Sequence, residues 1–237
     1  MAERGLIEVN LGPRVRACFT TSAFDLARPE GRSELAARLG LPLVFANQVH
    51  GDRLRWVDQA AASPVNPPNA IDTADPADIP TCDALATASR GIGLVIRTAD
   101  CVPVLLADPD KGLVAAAHVG WRGLLAGVAR VAVEELRAAG AGPLRAAVGP
   151  SICGRCYEVG ADLAEKARAA GHVATRTEDG TWRLDVAAST VRQLRGLGVA
   201  AIWLSPECTL ESPDLFSWRG ERAQGRQGAV VALHPLT

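Results

Sequence analysis

Leu94-Val95-Ile96, Thr98-Ala99-Asp100-Cys101, Val102-Pro103-Val104-Leu105-Leu106-Ala107, Asp108-Pro109-Asp110-Lys111-Gly112, Leu113-Val114-Ala115-Ala116-Ala117 and His118-Val119-Gly120-Trp121-Arg122-Gly123 follow one another along the chain and decide its fold. The apolar runs are far too short to span a bilayer and match buried strands. The polar turn at residues 108–112 joins two of them as a hairpin. The segment beginning at His118 is expected to open a helix that runs to about Ala139 and stops at Gly140, a glycine after the helix end. Polar residues therefore gather at a strand-to-helix junction.

Working outward, residues 43–46 and 54–57 read as short strands around Asn47-Gln48-Val49-His50-Gly51-Asp52, placing His50 where a strand pair turns. Residues 59–80, rich in Ala, Pro, Asp and Asn without a period, are expected to be a surface loop and a candidate lid. Residues 144–148 form a further strand, followed by a loop over 149–160 and a helix over 161–170. Asp185 reads as the N-cap of a helix through Leu194. Residues 201–204 and 229–233 complete the strand set, with Phe216-Ser217-Trp218-Arg219-Gly220 on the loop between them. The alternation of strands and helices predicts an α/β class, and residues 1–237 are expected to be one domain.

Of 237 residues, 48% are hydrophobic and 22% charged, which is enough apolar material for a substantial core. Lys+Arg of 25 against Asp+Glu of 26 gives a net charge of −1, so bulk electrostatics argue against nucleic acid or an anionic membrane as partner. The opening residues mix charges with single apolar side chains, so a cytoplasmic protein is expected. In that reducing compartment the six cysteines are expected to be thiols or metal ligands and not disulfides.

A thiolate and two imidazoles suit a borderline ion such as Zn²⁺, and three protein ligands leave one coordination position open. His50, Cys101 and His118 each lie at a strand end and could converge at one rim of a sheet. An ordinary turn histidine, a buried structural cysteine and a helix-capping histidine are the alternative. Asp83 and Asp100 flank this centre; a carboxylate there can accept a proton from activated water. Asp83 is preferred as that base, because Asp100 adjoins Cys101 in an extended segment and should point to the opposite face. Capping and backbone hydrogen bonding are the structural roles open to both. Arg122, Arg219 and Arg226 lie in loops or beside glycines and are candidate anion binders, Arg122 first, since it opens a helix. Solvent-facing arginines are the plain alternative. Cys153-Gly154-Arg155-Cys156 has the spacing of a redox dithiol, but no helix starts at the first cysteine, and packing thiols are the commoner outcome.

Asn47-Gln48-Val49-His50-Gly51, residues 98–108, His118-Val119-Gly120-Trp121-Arg122-Gly123 and Phe216-Ser217-Trp218-Arg219 together resemble the multicopper polyphenol oxidase or laccase-domain family, also called the purine nucleoside phosphorylase and peptidoglycan editing factor family. The resemblance runs from about residue 43 to the C-terminus. It departs at Val119, where Ala is usual, and at Ser217-Trp218-Arg219-Gly220, which replaces a Tyr-Arg-Arg run. The resemblance implies a single-domain layered α-β-β-α sandwich with mixed sheets, of a cysteine-hydrolase-like kind, and zinc held by His50, Cys101 and His118. It implies adenosine deamination and phosphorolysis of adenosine, inosine and methylthioadenosine. Asp83 then assists proton transfer, and Gln48, Arg122 and Arg219 contact a small-molecule purine nucleoside and phosphate in a monomer. An amidase that removes a wrong amino acid from peptidoglycan precursors is the alternative. A third reading is a non-catalytic, metal-stabilised binding module whose ion is closed off by a fourth ligand such as Cys82. Copper is the second choice of ion: four histidines cannot hold a mononuclear copper plus a trinuclear cluster, and Met1 is the chain's one methionine.

Overall fold

The computed structural model describes residues 5–58, 79–199, 201–220 and 224–234; most of the expected lid, residues 59–78, falls outside them. In chain-order numbering, β7 (Val102–Asp108) and β8 (Leu113–Val119) form the expected antiparallel hairpin, with Val102 opposite Val119 and Asp108 opposite Leu113. Every residue of both strands is buried, which is why their sequences are unbroken apolar runs: both faces are covered.

The hairpin is the middle of a six-stranded mixed sheet, ordered β13 (Ala201–Leu204), β9 (Arg145–Val148), β7, β8, β5 (Ala84–Thr87) and β4 (Leu54–Trp56). A second sheet of five strands runs β1 (Leu6–Glu8), β2 (Val15–Thr20), β14 (Gln227–Leu233), β6 (Gly93–Thr98) and β3 (Leu43–Val44). Side chains alternate across each strand and so build three apolar layers. Leu105, Ala107, Val114 and Ala116 face Phe19, Leu94, Ile96 and Val231 between the sheets. Val104, Leu106, Ala115 and Ala117 face outward onto Leu124, Val128, Ala132 and Leu136, carried by α2 (Trp121–Ala126) and α3 (Val128–Ala138). On the far side, Leu35 and Leu39 of α1 (Pro29–Leu39) cover Cys18, Val95 and Val230. The result is the layered α-β-β-α sandwich. Each fully buried Val, Leu or Ile in these layers contributes about 1.5–3 kcal/mol relative to exposure.

Several expectations are corrected. The helix expected from His118 to Ala139 is two: Gly127, at φ 87°, ends α2 and starts α3, a left-handed conformation that a glycine adopts without a Cβ clash. Gly140, at φ 95°, lies just beyond the second, as expected. His118 itself stays within β8. The strands around His50 do not pair with each other: β3 joins β6 and β4 joins β5, so residues 45–53 cross from one sheet to the other. The loop over 149–160 contains β10 (Glu158–Val159), which with β12 (Trp182–Asp185) and β11 (Val173–Arg176) makes a third, three-stranded sheet. Helix α4 (Ala161–Ala169) and helix α5 (Val186–Gly196) lie where expected, and the Asp185 carboxylate caps α5 by accepting from Ala188 N at 2.7 Å.

Candidate metal centre

Strand register brings the candidate ligands together. Val102 and Pro103 oppose Val119 and His118, so Cys101, just before β7, and His118, near the end of β8, lie at the same end of the hairpin. Ala84 opposes Ala117, which sets Asp83 beside His118; the Asp83 carbonyl accepts from His118 N at 2.7 Å. Position 118 shares its side of β8 with Val114 and Ala116, so its ring points toward the space between the sheets. His50 comes in from the crossover between β3 and β4.

Donor atoms of His50, Cys101 and His118 all lie within 4.8 Å of one another, and the two imidazoles meet edge to face with centroids 4.8 Å apart. A tetrahedral ion with bonds of about 2.0–2.3 Å sets its donors roughly 3.3–3.8 Å apart, so this set fits zinc with small adjustments. Gly120 makes room for it: a Cβ there would stand 2.9 Å from His50 Cδ2 and 3.1 Å from Cys101 Sγ. No fourth His, Cys or carboxylate donor joins the three among the described residues. Cys82 is buried elsewhere with its thiol on the Pro80 carbonyl at 3.7 Å, and burial pushes that thiol up to about 11. His172 and His234 belong to neither group of clustered donors.

Asp83 organises both imidazoles and is fully buried. Its Oδ2 accepts from Val49 N at 3.2 Å and Gly51 N at 2.7 Å; its Oδ1 accepts from His50 N at 2.9 Å and lies 2.8 Å from His118 Nδ1. Those three amides hold His50 at φ 62°, a left-handed conformation that costs a non-glycine residue of order 1–3 kcal/mol. The Nδ1 contact directs the His118 proton toward Asp83 and leaves Nε2 for a metal. Burial alone would raise the Asp83 carboxyl, but the hydrogen bonds from His118 and the amides outweigh it and hold it below its ordinary value. The Asp83 carboxylate thus sits behind the His118 ring and not on the cleft wall.

Electrostatics around the thiol follow the same logic. Burial favours the neutral Cys101 thiol, yet hydrogen bonds from His118 and His50 bring it down to about 6. His118 answers in kind: burial lowers it, and Asp83 and Cys101 together raise it to about 9. Without metal, the pair is a thiolate beside an imidazolium.

The donors open onto a cleft of about 700 Å³, within the roughly 300–1,000 Å³ typical of small-molecule sites. Gln48, Arg122 and Arg219, the three residues expected to contact substrate, line it. Both functions of the Gln48 amide clasp the Arg97 backbone, donating to its carbonyl at 2.8 Å and accepting from its N–H at 2.9 Å. Arg219 stacks on Tyr157, its guanidinium carbon 4.9 Å from the ring centroid, and donates to the Glu158 carbonyl at 3.0 Å. Asp100 departs from expectation. At φ 84° it breaks the strand alternation, so its carboxylate turns to the cleft side, accepting from Thr209 Oγ1 at 2.6 Å and Arg219 N at 2.9 Å. Arg97, Tyr157 and Trp218 were missed as cleft residues. Arg97 is the penultimate residue of β6, a strand that otherwise reads as core, and Trp218, 62% exposed, carries the Arg226 guanidinium carbon 5.2 Å from its ring centroid. Desolvation, then Arg32 and Arg226, lower Arg97 to about 10, marking a cationic, partly dry end of the cleft.

Residues 27–234 match the family model described as multi-copper polyphenol oxidoreductase laccase. The chain is 45% identical over 233 residues to purine nucleoside phosphorylase ORF3 of Streptomyces griseus, covering 95% of this chain and 87% of that protein. It is 38% identical over 142 residues to adenosine deaminase RL5 from an unknown prokaryotic organism, covering 57% and 52%. The crystal structure of Bacillus licheniformis hypothetical protein YfiH superposes with a TM-score of 0.85 at 27% identity, covering 98% of this chain and 97% of that one. The chain therefore belongs to the multi-copper polyphenol oxidoreductase laccase family.

Proposed function

We propose that the chain is a zinc-dependent purine-nucleoside enzyme, deaminating adenosine and phosphorolysing adenosine, inosine and methylthioadenosine. One observation carries the reading: two imidazoles and a thiolate converge in a cleft that is also lined by arginines and aromatic rings. The names of the Streptomyces and RL5 relatives support the substrate class. His50, Cys101 and His118 would hold the ion; when bound, zinc with an open position lowers the pKa of water toward neutrality and polarises an adjacent electrophile.

The protein's own groups supply the rest. Asp83 keeps the His118 proton on Nδ1, so it is a positioning residue in place of the base expected from sequence. Trp218 and Tyr157 each have an arginine over one face and would offer the other to a purine. Arg97, Arg122 and Arg219 make the cleft cationic, as phosphate held beside the ribose C1′ requires. Copper oxidation of polyphenols is not adopted, because the four histidines do not gather into a multinuclear cluster among the described residues. Among the described residues the structural-ion reading lacks its closing ligand, since Cys82 lies outside the donor set.

A second reading has one observation of its own. Cys101, His118 and Asp83 stand in the order of a thiolate, its imidazole and an orienting carboxylate, an arrangement that can also open an amide on a cell-wall precursor. Incubating zinc-loaded protein with nucleosides, with and without phosphate, and with muropeptide precursors separates the two by mass spectrometry. Inosine from adenosine, and free base with ribose 1-phosphate, support the proposal. Release of an amino acid with no nucleoside turnover refutes it.

A further inference from the structure

Cys153, Cys156, Cys208 and Glu211 form a second donor group, whose ligand atoms also lie within 4.8 Å of one another. Two tight turns create it. The Cys153 carbonyl accepts from Cys156 N at 2.9 Å and Tyr157 N at 3.0 Å, so two thiols three residues apart share one side of a helical turn. The Cys208 carbonyl accepts from Ser212 N at 2.9 Å, and that turn brings Glu211 back over Cys208. A parallel bridge between Ser151 and Cys208 and a bond from Thr209 N to the Ser151 carbonyl at 3.1 Å set the two turns face to face.

We propose that these four residues bind a second, structural metal ion, with zinc the preferred occupant, that braces the wall of the cleft. Three thiolates and a carboxylate are a closed four-ligand set of soft and borderline donors, unlike the open three-ligand centre. All three cysteines are free thiols. Binding exchanges three S–H protons, released to solvent, for three metal–sulfur bonds, so no oxidant is involved. Supporting contacts are in place: Cys153 N–H donates to Cys208 Sγ at 3.3 Å, and Arg155 pairs with Glu211 at 3.1 Å, offsetting part of the negative charge that three thiolates and a carboxylate bring to a divalent ion. Gly154 lets the turn press onto the cap of α5, where a Cβ would stand 2.6 Å from Asp185 Cβ.

The group matters to the cleft through short links. Ile152 N donates to the Asp100 carbonyl at 3.0 Å, and Thr209 holds the Asp100 carboxylate, so both turns clamp the residue next to Cys101. Tyr157, directly after Cys156, lines the cleft, and Glu158 receives Arg219.

Zinc per chain, measured by inductively coupled plasma mass spectrometry after loading and desalting, tests the inference. We expect two ions in the wild type, one in Cys101→Ala and one in Cys153→Ser/Cys156→Ser. Cobalt-loaded Cys101→Ala should still show thiolate-to-metal charge transfer, because its metal is held by the other cysteines. A folded Cys101→Ala protein without zinc would overturn the proposal even if the double variant failed to fold. So would a disulfide among these three cysteines in the wild type. If instead the His50–Cys101–His118 centre were the one that bound nothing, the wild type would hold one ion that Cys101→Ala keeps and the double variant loses.

Discussion

Replacing Asp83 by Asn changes one oxygen for an amide without changing shape, and the structure sets the size of the effect. Each Asp83 oxygen meets two groups: Val49 N and Gly51 N on one, His50 N and His118 Nδ1 on the other. An amide nitrogen in the first position faces two N–H donors. In the second it faces the His50 N–H and drives the His118 proton onto Nε2, the atom needed for metal. Buried donors left without partners cost about 1–3 kcal/mol each, so with two of them the metal-free protein should lose about 2–6 kcal/mol of folding stability. Loss of such an orienting carboxylate lowers metal affinity by about 10–100-fold, or roughly 1.4–2.8 kcal/mol. Thermal melting of the apoprotein and zinc competition against a chromophoric chelator measure the two effects. A D83N protein with both wild-type stability and wild-type zinc affinity would refute the claim that Asp83 orients His118.

Other outcomes follow from the same geometry. Gly120→Ala should leave the fold intact, since position 120 has an ordinary φ of −80°, but its Cβ would displace His50 and Cys101; circular dichroism unchanged with zinc binding lost is the expected pair of results. Zinc affinity should rise with pH: the ion displaces a proton from Cys101 below about 6 and one from His118 below about 9. That corresponds to about a hundredfold gain per pH unit at the acid end and about tenfold in the middle, flattening above; isothermal titration across pH would expose a flat profile if the reasoning failed. Arg122→Ala should raise the KM for phosphate in phosphorolysis more than it slows adenosine deamination, and equal losses in both reactions would remove phosphate binding from its role. Leu105→Ala, fully buried between the sheets, should cost about 2–5 kcal/mol in chemical denaturation with metal content unchanged.

Legibility from sequence tracked how fully each segment is covered. The hairpin of β7 and β8 was readable because burial on both faces demands continuous apolar runs, and the register it fixes is what pairs Cys101 with His118. The strands β11 and β12 were not, since they are only partly buried and carry Arg176 and Arg183, so no alternation marks them. In β2, Arg16 sits in a strand whose last four residues are all buried, and the helix α1 carries few apolar side chains, which blurred both. The break at Gly127 had a signal, a glycine inside an apolar helical run, that was outweighed by the length of the run. The positive φ of Asp100 had none: it arises from the crossover between sheets, and it reverses the face expected of that carboxylate. At the centre, residue types and the family resemblance picked out three candidate donors, but only the fold reveals that they meet and that Asp83 holds two of them while facing away from the cleft. Half of the second donor group, Cys153 and Cys156, stood out by spacing; Cys208 and Glu211 lie about fifty residues on and are brought to it by the folded chain, through the Ser151–Cys208 bridge and the contacts beside it.

Adenosine turnover during zinc add-back to chelator-stripped protein, run side by side for the wild type and Cys101→Ala, tests the catalytic assignment most directly. Wild-type activity is expected to return in step with bound zinc, and the variant to stay silent at every zinc concentration. Full adenosine turnover by dialysed Cys101→Ala would contradict the assignment.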